Sequence, residues 1–143
     1  MDTTRAKSTP LIVYPNPANK NGLKVVLDYV ANHVHEQHSV YKEHPDWVTP
    51  LYLPDGTMNT EKWDEYRLTT WFDTFLPTLN LENQQIADFM IDSAIFWIDE
   101  YDFDGFRHDA TKHIPLNFWR SLNKKVKLVW SISLIAAIGV LNS

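Results

Sequence analysis

Gly105-Phe106-Arg107-His108-Asp109-Ala110-Thr111-Lys112-His113-Ile114 is the stretch on which the fold turns. Asp102-Phe103-Asp104 stops the helical pattern before it, and Gly105 to Asp109 reads as a short strand. Side chains alternate along a strand, so Arg107 and Asp109 share one face and His108 points the other way. Taken alone, an arginine beside an aspartate is a plain salt bridge. These two are not alone, because Lys112 and His113 follow at once, and an earlier strand carries Asp28 at its end with Asn32 and His33 just after. In parallel α/β architectures the loops after the strands converge at the carboxyl edge, where active sites assemble. Two strand ends bringing acid, base and amide groups to one rim therefore point to chemistry.

Working outward, Leu23-Lys24-Val25-Val26-Leu27 follows the turn signal Asn21-Gly22 and reads as a buried strand that ends at Asp28. Residues 34–82 show no sustained period, only turn signals at His44-Pro45-Asp46 and Leu53-Pro54-Asp55-Gly56 among scattered aromatics. Strand-to-helix loops usually run about two to six residues, so a stretch this long is expected to be an inserted subdomain. Asn83 to Tyr101 predicts a helix, with Asn83 as N-cap and Ile86, Met90, Ala94, Trp97 or Ile98, and Tyr101 on its apolar face. Pro115 opens a second helix whose stripe would be Leu116, Trp119, Leu122 and Val126. Strands alternating with helices imply a parallel sheet, either open and doubly wound or closed as a (β/α)8 barrel.

The 143 residues, 44% hydrophobic and 22% charged, suit one globular domain. A net charge of −5 argues against a nucleic-acid binder, and the one basic cluster, Lys124-Lys125-Val126-Lys127, is too short to reverse that. Without cysteine there is neither a disulfide framework nor thiolate chemistry. Met1 to Pro10 lacks the charged-then-apolar order of a secretory signal, so localisation stays open, export of a parent enzyme included. Leu128 to Leu141 is apolar, but fourteen helical residues reach only about 21 Å against a hydrocarbon core of about 30 Å, which argues against a membrane anchor.

At the level of motifs the sequence resembles one family. Asp28-Tyr29-Val30-Ala31-Asn32-His33 resembles the first short signature of the α-amylase family (glycoside hydrolase family 13), and residues 105–114 resemble its second. Leu76-Pro77-Thr78-Leu79-Asn80 resembles the additional signature near the end of that family's inserted domain B. The resemblance covers residues 21–127. It implies an α/β fold, a partial (β/α)8 TIM barrel with a domain B-like insertion over 34–82. Residues 21–33 would be strand three and its active-site loop, and 83–127 a barrel helix, strand four and the next helix. Residues 1–20 would be a divergent N-terminal segment and 128–143 an apolar tail, non-native in character.

The resemblance also implies roles. Asp109 would be the nucleophile of a retaining mechanism on α-1,4-glucans and Arg107 would orient it, with Asp28 bracing the site through Arg107. His33 would hydrogen-bond the sugar beside the cleaved linkage, and Lys112 and His113 would contact sugars on the leaving-group side. Asn32 would resemble a calcium ligand, with His113 adding its backbone carbonyl. Here the sequence departs from many calcium-binding amylases, because Thr78 stands where their signature has a metal-binding aspartate, and a hydroxyl is a weak ligand for a hard dication.

The larger departure lies after Asp109. Retaining glycosidases need a second carboxyl group about 5 to 5.5 Å from the nucleophile. The family takes it from strand five, yet residues 110–143 contain no Asp or Glu. The expectation is a truncated or frame-shifted catalytic domain with negligible activity of its own. Three rivals accompany the amylase reading: a cyclodextrin or pullulan hydrolase or a transglycosylase on the same barrel; a non-catalytic glucan-binding module; and a tail-anchored membrane protein. Among the aromatics of the insertion, Trp47, Tyr52, Trp63, Tyr66, Trp71 and Phe75 read as core packing more than as sugar platforms, and His35, His38 and His44 as solvated.

Overall fold

A computed structural model describes residues 21–101 and 103–129. Expectations for residues 1–20, and for the apolar run from residue 130 on, lie outside them. The regular elements run β1 (Val26–Tyr29), α1 (Ser39–Glu43), a 3-10 turn (Pro45–Trp47), α2 (Gln84–Tyr101), β2 (Gly105–His108), a second 3-10 turn (Thr111–His113) and α3 (Leu116–Val129). Among the described residues no helix is long and apolar enough to cross a membrane.

The two strands pair in parallel, Val26 with Gly105, Leu27 with Phe106, Asp28 with Arg107 and Tyr29 with His108. Alternation then sorts the sheet into two faces. Leu27, Tyr29, Phe106 and His108 turn toward the core, where Phe106 is fully buried, while Asp28 and Arg107 turn outward. The pairing is extended below the strands by Asp104, whose amide donates to the Val25 carbonyl at 2.7 Å and whose carboxylate accepts from the Val25 amide at 2.8 Å.

This register corrects the expected first strand. Leu23 and Lys24 stay outside it and exposed, Asp28 is inside rather than at the end, and Val26 is 49% exposed. The run expected to be a buried strand is covered on one face only, because what covers the sheet is the helical layer beneath it. Asp109 in turn lies one residue beyond β2.

The helix α2 begins where the sequence places its cap, since the Asn83 side chain accepts from the Gln85 amide at 2.9 Å. A cap of this kind contributes about 1 kcal/mol. Its buried face is Ile86, Ala87, Met90, Ile91, Ala94 and Ile98, so Ile98 rather than Trp97 carries the last turn. In α3 the phase differs from expectation: Phe118, Leu122 and Val126 are buried, Trp119 is half-buried and Leu116 is 60% exposed. Leu116 opens the helix, and Phe118, whose amide donates to the Pro115 carbonyl, takes the inward position instead. The Tyr29 hydroxyl, donating to the Met90 carbonyl at 2.7 Å, ties the sheet to α2.

Residues 34–82 form a mostly irregular layer closed at its base. The Val34 amide donates to the Pro77 carbonyl and the Leu79 amide to the Asn32 carbonyl, which fastens the start of the segment to its end. Inside it, side chains replace regular pairing: the Thr78 hydroxyl donates to the Thr70 carbonyl, Thr49 to the Thr69 carbonyl, and the buried Trp71 indole to the Thr49 carbonyl. Of the six aromatics assigned to packing, Trp71 is buried and Trp47, Trp63 and Tyr66 half-buried, but Tyr52 and Phe75 are exposed. His35 and His38 are exposed as expected; His44 is not simply solvated, being stacked on Trp47 with ring centroids 4.1 Å apart.

Candidate active site

At the open face of the sheet one guanidinium holds two carboxylates. Arg107 Nη1 donates to both oxygens of Asp28 at 2.9 and 3.0 Å, and Arg107 Nη2 lies 3.0 Å from Asp109 Oδ1. The strands make this possible: parallel register sets Asp28 beside Arg107, and alternation returns Asp109 to the same face. Such a fork gives direction as well as attraction, since a guanidinium presents its donors in one rigid plane. All three side chains are 42 to 62% exposed, so the bridge is open to a ligand and contributes little to stability.

His33 stands beside this bridge. Burial holds its pKa below the ordinary imidazole value, and the charge of Asp109 pulls in the opposite direction. Its ring packs on Phe72 at 4.8 Å, and Phe72 in turn meets Trp63 at 4.7 Å and His113 at 5.2 Å. Asn32, fully buried, brings Nδ2 to 3.4 Å from His33 Nδ1, while its Oδ1 has no hydrogen-bond partner.

Directly after Asp109 the chain turns through Ala110, whose φ of 52° lies in the left-handed region, and enters the 3-10 turn that carries Lys112 and His113. Those two side chains meet the irregular layer. Lys112 Nζ donates to Asp64, Arg67 Nη1 donates to the Lys112 carbonyl at 2.7 Å, and His113 Nδ1 donates to the Arg67 carbonyl at 2.7 Å.

The structure thus joins Asp28, Arg107 and Asp109 directly, sets His33 next to them, and places Lys112 and His113 against the layer over 34–82. Sequence reasoning missed Asp64, Arg67 and Phe72. Nothing local marks them, because each matters through partners far along the chain.

Acidic side chains gathered at the carboxyl ends of parallel strands are the groundwork of glycoside hydrolases. Residues 15–128 match the family model described as alpha amylase, catalytic domain. The chain belongs to the α-amylase family of glycoside hydrolases. It is 27% identical over 107 residues to "Alpha-amylase 2" of Dictyoglomus thermophilum, an alignment covering 71% of this chain and 17% of that protein. It is 28% identical over 118 residues to a "Cyclomaltodextrinase" of Geobacillus thermopakistaniensis, covering 76% of this chain and 19% of the relative. Among solved structures, the α-amylase from Geobacillus thermoleovorans complexed with acarbose superposes with a TM-score of 0.69 at 33% identity, over 85% of this chain and 26% of that one. The chain therefore spans less than a quarter of the length of these two curated relatives and about a quarter of that structure.

Proposed function

We propose that this chain supplies the nucleophile and part of the sugar site of a retaining α-amylase-type hydrolase of α-1,4-glucans. Val26–Tyr29 and Gly105–His108 would be the third and fourth barrel strands, and residues 34–82 the inserted domain B. The observation that carries the reading is the Asp28–Arg107–Asp109 bridge on the open face of a parallel sheet, with His33 beside it.

In this mechanism an Asp109 oxygen attacks the anomeric carbon, the bond to the leaving oxygen breaks, and a glycosyl ester forms on Asp109. Arg107 keeps the attacking carboxylate aimed, and His33 is placed to hydrogen-bond the same sugar. The leaving oxygen needs a proton from a second carboxylic group, and both oxygens of the neighbouring Asp28 are already engaged by Arg107. No Asp or Glu follows Asp109. Loss of general acid help costs about 10² to 10⁴ in rate. The 143-residue chain is thus expected to bind maltoheptaose by calorimetry, more weakly as Asp109→Ala or Arg107→Ala, and to release no reducing sugar from soluble starch. Release that disappears in Asp109→Asn would overturn the inactivity, and absence of heat from a folded sample would overturn the glucan site.

The relative named as a cyclomaltodextrinase supports cyclodextrins as a second substrate class. Lys112-His113, a pair typical of α-amylases within the family, favours linear glucans. Stronger displacement of maltoheptaose by β-cyclodextrin than by maltohexaose would reverse that order.

Calcium fits the donor set poorly. The unpartnered Asn32 Oδ1 is the feature in its favour. Against it, the Thr78 hydroxyl is used on the Thr70 carbonyl, and no group of three His, Asp or Glu side chains able to hold a metal occurs among the described residues. Calcium takes six to eight oxygens and favours carboxylates. Chelation is accordingly expected to leave the melting temperature of the chain unchanged; a rise on adding calcium, abolished by Asn32→Ala, would contradict this.

A further inference from the structure

Two side chains of the irregular layer grip the segment that follows Asp109. Asp64 accepts from Lys112 Nζ, Arg67 Nη1 donates to the Lys112 carbonyl, and the Arg67 carbonyl accepts from His113 Nδ1. These contacts join residues 45 to 48 positions apart. Because the acceptor on His113 is a carbonyl oxygen, Nδ1 carries the proton, and the neutral ring keeps Nε2 as an acceptor.

Stability does not account for the Asp64–Lys112 pair. The Asp64 side chain is 91% exposed and that of Lys112 55% exposed, and ion pairs this open to water contribute little to folding. Their consequence is local. A lysine has a flexible four-carbon stem and three donors; Asp64 takes one donor, fixes the direction of the stem, and leaves two donors for other oxygens. Ala110, in its left-handed conformation, swings this segment off the line of β2, so that His113 packs edge-on against Trp63 and Phe72.

We propose that Asp64 and Arg67 are positioning residues of the glucan site, holding the Lys112 ammonium and the His113 ring in place beside Asp109 to receive the hydroxyls of an uncharged oligosaccharide. This rests on the glucan reading above. It adds that recognition by Lys112 depends on a carboxylate contributed by the irregular layer, that of Asp64.

An uncharged ligand gives the test its resolving power. Salt acts only weakly on a neutral sugar's own contacts, but it screens an exposed ion pair, the screening length dropping from about 30 Å at 0.01 M to about 3 Å at 1 M. Maltoheptaose affinity of the wild-type chain is therefore expected to weaken by roughly two- to tenfold over that range, as Lys112 regains rotamer freedom that binding must remove. Asp64→Asn is expected to show the weakened affinity already at low salt and to lose the salt dependence, with an unchanged urea midpoint. Asp64→Glu, which keeps the charge, is expected to restore most of both. Equal affinity and equal salt dependence in wild type and Asp64→Asn would overturn the positioning role while leaving the glucan site standing. A folded wild-type chain that binds no maltoheptaose would remove the glucan reading itself, and this inference with it.

Discussion

Phe106→Ala is expected to remove a large share of the folding free energy of the chain. Phe106 is fully buried in the middle of β2, with ring centroids 5.8 Å from Tyr29 and 5.2 Å from His108, on the face that joins the sheet to the helices. Deleting a buried phenyl ring costs about 3 to 5 kcal/mol, the transfer term and the cavity term together, and a domain's whole stability is about 5 to 15 kcal/mol. Phe106→Leu keeps most of the volume and serves as the milder control. Urea denaturation at constant pH measures both, and a midpoint for Phe106→Ala within error of wild type would show that the sheet does not anchor the core. Leu128, 78% exposed, offers the contrast: its truncation is expected to change almost nothing.

Acid is expected to be the second large perturbation, acting through His108. The ring is 2% exposed, flanked by Tyr29, Phe106 and Trp119, and neither nitrogen is hydrogen-bonded, although the Tyr29 backbone lies near. Burial pushes its pKa from 6.5 down to about 4, against smaller opposing pulls from the Tyr29 backbone and the Asp28 charge. The folded state thus prefers the neutral ring more strongly than the unfolded chain does. The stability linked to that preference is complete above pH 6.5 and is lost as pH falls toward about 4, an amount on the order of 3 kcal/mol. His33 and His113, also held below the ordinary value, act in the same direction. The carboxylates Asp55, Asp64 and Asp104 are held below the ordinary carboxylate value by hydrogen bonds to Thr57, Lys112 and Lys24, so they do not titrate within this window. Urea midpoints measured between pH 7 and pH 4.5 are expected to fall steeply for wild type and much less for His108→Leu. An equally steep fall in the variant would place the acid sensitivity elsewhere.

The parts of this molecule that were legible in its sequence are those governed by near neighbours. The α2 helix follows from its 3.6-residue period and the Asn83 cap, and both reach the structure intact. The facing of Arg107 and Asp109, with His108 opposite, follows from strand alternation alone. Where the structure differs, partners elsewhere in the chain decide. β1 starts three residues and ends two residues beyond the run over residues 23–27 because its register is set by β2 and by the Asp104 link to Val25. The expected stripe begins at Leu116 whereas Phe118 is the buried position, because a stripe read from sequence does not fix which side of the first turn faces inward. Asp64 and Arg67 sit in a stretch with no period at all, and their meaning appears only when 112–113 is folded against them.

Parallel pairing between residues 79 positions apart also governs the order of events as the chain folds. A turn of helix can close within its own neighbourhood, whereas β1 and β2 meet only after the intervening polypeptide has been gathered in, at an entropic expense set before any contact rewards it. The arginine fork belongs to that late step. On a ribosome it is absent until the residues around Arg107 have cleared the exit tunnel, and until then Asp28 waits on a nascent chain that already has α1 and the start of α2 to fold but not yet β2.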